Sequence, residues 1–210
     1  MAEMSVIPVP GKPGHLFVPS TGKTVIQTEI REDDFFDSVE FASGSQSAGT
    51  SQDVFKDQSS KKSVDTNLTT TRRIPANNRF MMSRVGVHVR QINGNTQVLG
   101  ADILKAYECL SMDFKLNQRL VTEGPLLKYQ SGYGVIGSFN NSGTLGVASQ
   151  AAAPRLKQAQ PVSDEDDLNV IIESKARSWL AVAGDQTPTF AGNVGVSVYA
   201  RGDIEKPLGT

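Results

Sequence analysis

The stretch from Ser111 to Gly134, SMDFKLNQRLVTEGPLLKYQSGYG, constrains the fold of this chain more than any other. Met112, Phe114 and Leu116 alternate with Asp113, Lys115 and Asn117, the two-residue period of a strand with one face on a core and the other in water. Arg119, Glu123, the Gly124-Pro125 pair, a second apolar group of Leu126, Leu127 and Tyr129, and a Gly132-Tyr133-Gly134 turn follow. That order reads as strand, corner, strand, loop. None of these residues is placed as a nucleophile, metal ligand or phosphate cradle, so function is expected from shape and surface.

Other segments repeat the strand period. Between Phe80 and Arg90, Val85, Val87 and Val89 share one face, while Arg84, Gly86, His88 and Arg90 take the other, and Asn93-Gly94-Asn95 supplies turn chemistry. Leu168, Val170 and Ile172 alternate in a later strand, Trp179 to Ala183 supply another, and Val194, Val196, Val198 and Ala200 line a last one. Only Gly100 to Leu110 breaks this rhythm: Ile103, Leu104, Tyr107 and Leu110 fall at helical spacing, with Asp102 near the helix start. Residues 147 to 161 read as a short helix or a long connection. Regular strands punctuated by Gly, Pro and Asn, with one or two short helices, predict an all-β fold, an antiparallel sandwich of immunoglobulin or jelly-roll type.

The front of the chain is different. Pro8, Pro10, Pro13 and Pro19 separate apolar islands such as Leu16-Phe17-Val18, a pattern that reads as an extended arm lying along a neighbour. Glu32-Asp33-Asp34-Phe35-Phe36-Asp37 reads as an anchor point. From Ser43 to Thr71 the large apolar residues that stand out are Val54, Phe55, Val64 and Leu68, too few to offset the entropy of ordering a core of their own. The expected division is an arm over residues 1–75, largely without regular structure, and a sandwich over residues 76–210. Leu16, Phe17, Val18, Phe35 and Phe36 are the arm residues expected to clasp neighbouring subunits.

Composition narrows the chemistry. A net charge of −1 over 210 residues gives no basic footprint for nucleic acid. One cysteine, Cys109, excludes an internal disulfide and reads as a packed thiol. No signal pattern and no apolar run of spanning length is visible, so the chain is expected to be neither secreted nor membrane-spanning. His15 and His88 lie far apart with no ligand or triad partner, and His88 reads as a polar-face side chain. Asp164-Glu165-Asp166-Asp167 reads as a solvated acidic turn in preference to a Ca²⁺ or Mg²⁺ loop, since it lacks spaced ligands and a mid-loop glycine. Asp164, Asp166 and Asp167 are nevertheless candidates for loop contact with Arg155 or Lys157 of a neighbour, and Tyr133 is another exposed contact. Arg201-Gly202-Asp203 reads as turn chemistry after a strand more than as an adhesion signal.

The arm ending in Asp65-Thr66-Asn67-Leu68 and Arg73-Ile74-Pro75, the strand at Phe80 to Arg90, the Glu123-Gly124-Pro125-Leu126 corner and the valine-rich last strand running into Lys206-Pro207-Leu208 together carry a resemblance. In proportion and order the chain resembles the single jelly-roll capsid proteins of tailless icosahedral bacteriophages. The resemblance implies eight strands in two sheets, an arm that ties subunits together, and a structural rather than catalytic role in the virion after synthesis in the host cytoplasm. It implies homo-oligomers and other virion proteins as partners and no cofactor or small-molecule substrate, in a shell that either lines a lipid membrane or packs duplex DNA with other proteins. The arm lacks the basic cluster of many RNA-virus shell proteins, which argues against direct genome binding. Two alternatives stand beside this reading: a phage head-decoration, spike-base or tail component, and a carbohydrate-binding sandwich.

Overall fold

A computed structural model describes residues 7–10, 15–18, 23–26, 28–56, 61–63, 65–91, 100–130, 135–136, 144–145, 153–175, 177–178 and 185–207. Its principal strands are β1 (Thr28–Phe41), β2 (Ser51–Val54), β3 (Arg79–Gln91), β4 (Leu110–Leu116), β5 (Arg119–Pro125), β6 (Arg155–Ser163), β7 (Leu168–Ser174) and β8 (Val194–Pro207). They form two four-stranded antiparallel sheets, in the orders β6-β3-β8-β1 and β2-β7-β4-β5. Side chains of both sheets share one continuous apolar core, which makes the fold an all-β antiparallel sandwich. The pairing is nested: first strand with eighth, second with seventh, third with sixth, fourth with fifth. The chain is thus one long hairpin wound over itself.

Local pattern accounts for most of these strands. In β4 and β7 every second residue is buried, with Met112, Phe114 and Leu116 facing Leu168, Val170 and Ile172 across the ladder. Each such side chain contributes roughly 1.5–3 kcal/mol by leaving water. In β3 the buried positions change phase, from Phe80 and Met82 to Val85, Val87 and Val89. A bulge absorbs the extra residue: Arg201 pairs with Arg84 and Gly202 with Met82, leaving Ser83 unpaired. The Arg201-Gly202-Asp203 tripeptide therefore lies inside β8, paired on both sides, and not in a turn.

The front of the sandwich starts earlier than expected. Residues 28–41 are not arm but the strand β1, fully paired with β8, and the division at residue 75 is corrected accordingly. Phe35, Asp37, Val39 and Phe41 are buried and Phe36 is half-buried. An inward aspartate and an outward phenylalanine blur the apolar alternation, which is why the segment reads as an anchor and not as a strand. The polar stretch that follows is ordered through its few apolar residues: Val54, Phe55 and Leu68 all enter the core, while Val64 lies outside the described residues. Asn67 binds the open side of β1 like a backbone mimic, accepting from Phe36 N–H at 2.8 Å and donating to the Asp34 carbonyl at 2.6 Å. Before Thr28, Ile7–Pro8, His15–Val18 and Lys23–Ile26 form a three-stranded sheet that belongs to neither layer.

Connections complete the picture. The helix α1 (Gly100–Cys109) buries Ile103, Ala106, Tyr107 and Cys109. Its Asp102 is buried and accepts from the Ala191 and Gly192 amides at 2.8 and 3.1 Å, so it anchors the loop before β8. Burial pushes the Tyr107 hydroxyl above the ordinary tyrosine range despite the hydrogen bond it accepts from Val89 N–H, with Tyr199 nearby adding to the rise. Leu126–Tyr129 is a 3-10 turn, not a strand, because Pro125 sets its entry at φ −61°. From residue 155 on, the ambiguous segment runs into the edge strand β6, where Pro161 is tolerated for lack of a ladder bond to give. The expected strand from Trp179 to Ala183 lies outside the described residues.

Candidate interaction surface

The predicted contact residues divide sharply. Phe35 is buried, its ring edge-on to Phe80 at 4.9 Å, and Phe36 packs on Tyr199 at 5.7 Å within its own sheet. Both are corrected from arm contacts to residues of the sandwich, because β1 needs them to close its two faces. Leu16, Phe17 and Val18 do lie in the separate sheet, on the strand His15–Val18, and Phe17 is exposed. Tyr133 lies outside the described residues.

The acidic run is engaged within its own chain. Asp164 accepts from Asn77 N–H at 2.8 Å, and Asp166 accepts from Ser163 N–H at 2.7 Å and from the Asn117 amide at 2.8 Å. Asn117 in turn accepts from Asp167 N–H at 2.9 Å, and the Asp167 carboxylate stands 3.7 Å from Arg72. Asn77 and Asn117 both hold left-handed backbone, at φ 63° and 56°, a conformation asparagine tolerates better than most residues. The acidic turn between β6 and β7 thus ties down the β4–β5 hairpin and the turn before β3. Partial burial raises the Asp166 carboxyl, but the Ser163 amide, the Asn117 amide and the Ser163 hydroxyl outweigh it and hold the group below the ordinary carboxylate value. Among the described residues no group of three or more His, Cys, Asp or Glu side chains is placed to hold a metal ion, and no helix is long and apolar enough to cross a membrane.

What sequence reading missed lies at this same end of the sandwich. A groove of about 910 Å³ opens where β3 begins and β8 ends. Its core side is lined by the buried Phe80, Leu116 and Val162, its outer side by the exposed Ile30, Met81 and Pro161. Ile30 is 70 % exposed and Met81 44 %. Two of the five large apolar side chains exposed among the described residues therefore line it, together with the exposed Pro161, and adjoining apolar exposure marks a contact surface more than scattered exposure does. Arg79 and Arg119 stand at its rim with Asp166, Asp203 and Glu205. Further along the outer face, Arg201 donates to Glu32 at 2.7 Å; this hydrogen bond and the attached charge lower the Glu32 carboxyl and raise the Arg201 guanidinium. A signal for the groove was present in Ile30 and Met81, apolar residues whose paired neighbours in the ladder are Glu205 and Asp203.

No family model matches the sequence, and no curated protein matches it. Among solved structures, the chain is similar to one described as the structure of infectious bursal disease virus, Gx strain, at 12 % identity and a TM-score of 0.25. The similarity covers 98 % of this chain and 47 % of that one, so the chain spans about half the length of its neighbour.

Proposed function

We propose that the chain is a viral structural protein, a shell subunit that self-associates through its sandwich and an N-terminal arm shorter than its sequence suggested, residues 1–27. The observation that carries this reading is the nested pairing of eight strands into two sheets, an arrangement that fits the winding of a single jelly roll, together with leading strands, Ile7–Pro8, His15–Val18 and Lys23–Ile26, that join neither sheet. Jelly rolls recur in viral shells and in lectins, and the outlying arm favours the shell. A subunit of this kind needs a rigid body and a segment free to bridge neighbours. The finer assignment, to the shell of a tailless bacteriophage with other virion proteins and an underlying membrane as partners, rests on the sequence resemblance. The role in this reading is structural, not enzymatic, without cofactor or substrate, and a net charge of −1 speaks against direct genome binding.

Sedimentation velocity and negative-stain microscopy of the purified full chain test the reading. Shells, or rings of five or six subunits, are the expected outcome. A persistent monomer rules the proposal out, and a small oligomer that assembles only on preformed particles favours a decoration protein instead.

A further inference from the structure

The groove and the arm meet at one strand: β1 takes up the chain at Thr28, and Ile30, its third residue, lines the groove. We propose that the groove receives the arm of a second copy, with Phe17 of that arm covering Ile30 and Met81. This assignment rests on the shell reading above and names the surface through which the arm acts.

Three observations carry it. First, Ile30 and Met81 are exposed at the groove, and burying them removes a cost the isolated chain bears. Second, the arm presents complementary material: its sheet lies outside both layers of the sandwich and leaves Pro8, Pro10 and Phe17 exposed, Phe17 at 37 %. Third, the charges are opposite in sign. Residues 1–27 carry Lys12 and Lys23 against Glu3, a formal balance of two minus one, or +1; the groove carries Asp166, Asp203 and Glu205 against Arg79 and Arg119, a balance of two minus three, or −1. The topology makes exchange reciprocal. Because each arm leaves its own body beside its own groove, two facing copies related by a twofold axis place each arm at the other's groove without a long span.

The test uses the full chain with the photoreactive residue benzoylphenylalanine in place of Phe17. Unlabelled and ¹⁵N-labelled copies are mixed before assembly, irradiated and mapped by mass spectrometry. Cross-links of mixed isotope composition from position 17 to peptides holding Ile30 or Met81 are expected. A second form carrying Ile30→Ser and Met81→Ser, both at exposed positions, should keep its unfolding midpoint and lose these cross-links at least tenfold. Particles whose cross-links join other surfaces, or join only residues of one chain, overturn the groove assignment and leave the shell reading standing. A protein that stays monomeric by sedimentation overturns both.

Discussion

Gly202 lies against Met81 so closely that a β-carbon at position 202 would sit 1.9 Å from the Met81 carbonyl oxygen. The contact arises at the bulge in β3, where the backbone of the partner strand swells towards β8. Backbone cannot swing aside as a flexible side chain does. Gly202→Ala is therefore expected to destabilise the chain by about 3 kcal/mol, the upper range for overpacking, read as a lower urea midpoint. Asp203→Ala, one residue on at an exposed position, should leave the midpoint where it is. Equal effects of the two changes would refute the structural account of this tripeptide.

Asp37 is fully buried, and its carboxylate accepts from the Lys61 ammonium at 2.6 Å and from Phe55 N–H at 2.5 Å. The second bond fixes a buried phenylalanine in left-handed backbone, φ 63°. Replacing Lys61 by Met strands a charge in the core and should cost about 3 kcal/mol. Adding Asp37→Asn removes that charge while keeping an acceptor for Phe55, and should recover part of the loss. Chemical denaturation of the two variants decides it: a double variant less stable than the single one contradicts the pairing.

Truncation separates arm from body. Removal of residues 1–27 should leave a cooperatively folded sandwich that no longer assembles, since β1 begins at Thr28. Removal of residues 1–41 deletes a strand that contributes Phe35, Val39 and Phe41 to the core, and should yield insoluble or unfolded protein. Circular dichroism and sedimentation on both truncations are the measurements; normal particles from the shorter truncation would exclude the arm from assembly.

Asp166 gives the fold a dependence on acid. Its carboxyl titrates lower in the folded chain than its ordinary value of 3.8, so the folded form binds the proton less readily than the unfolded one. The stability this supplies is complete above that value and is lost as pH falls through the folded value. The gap in unfolding midpoint between the natural chain and Asp166→Asn should be open at pH 7 and narrow steadily below about pH 4. A gap independent of pH would place the effect elsewhere.

The alternating runs in β3, β4, β7 and β8, and the helical spacing from Ile103 to Tyr107, were legible in the sequence because side-chain direction in a strand or helix follows from the local backbone alone. Those elements suffice to name an all-β sandwich. The extent of β1 was not legible, since its inward Asp37 is acceptable only beside Lys61, 24 residues away, and its half-covered Phe36 only beside Tyr199. Nor was β6, whose exposed residues and Pro161 suit an edge that no local pattern specifies. The groove depends on strand ends brought together from five places in the chain, around Ile30, Met81, Leu116, Val162 and Glu205. Local sequence sets which way each residue points; only the closed sandwich decides what it points at, because burial and pairing energies are settled between residues far apart along the chain.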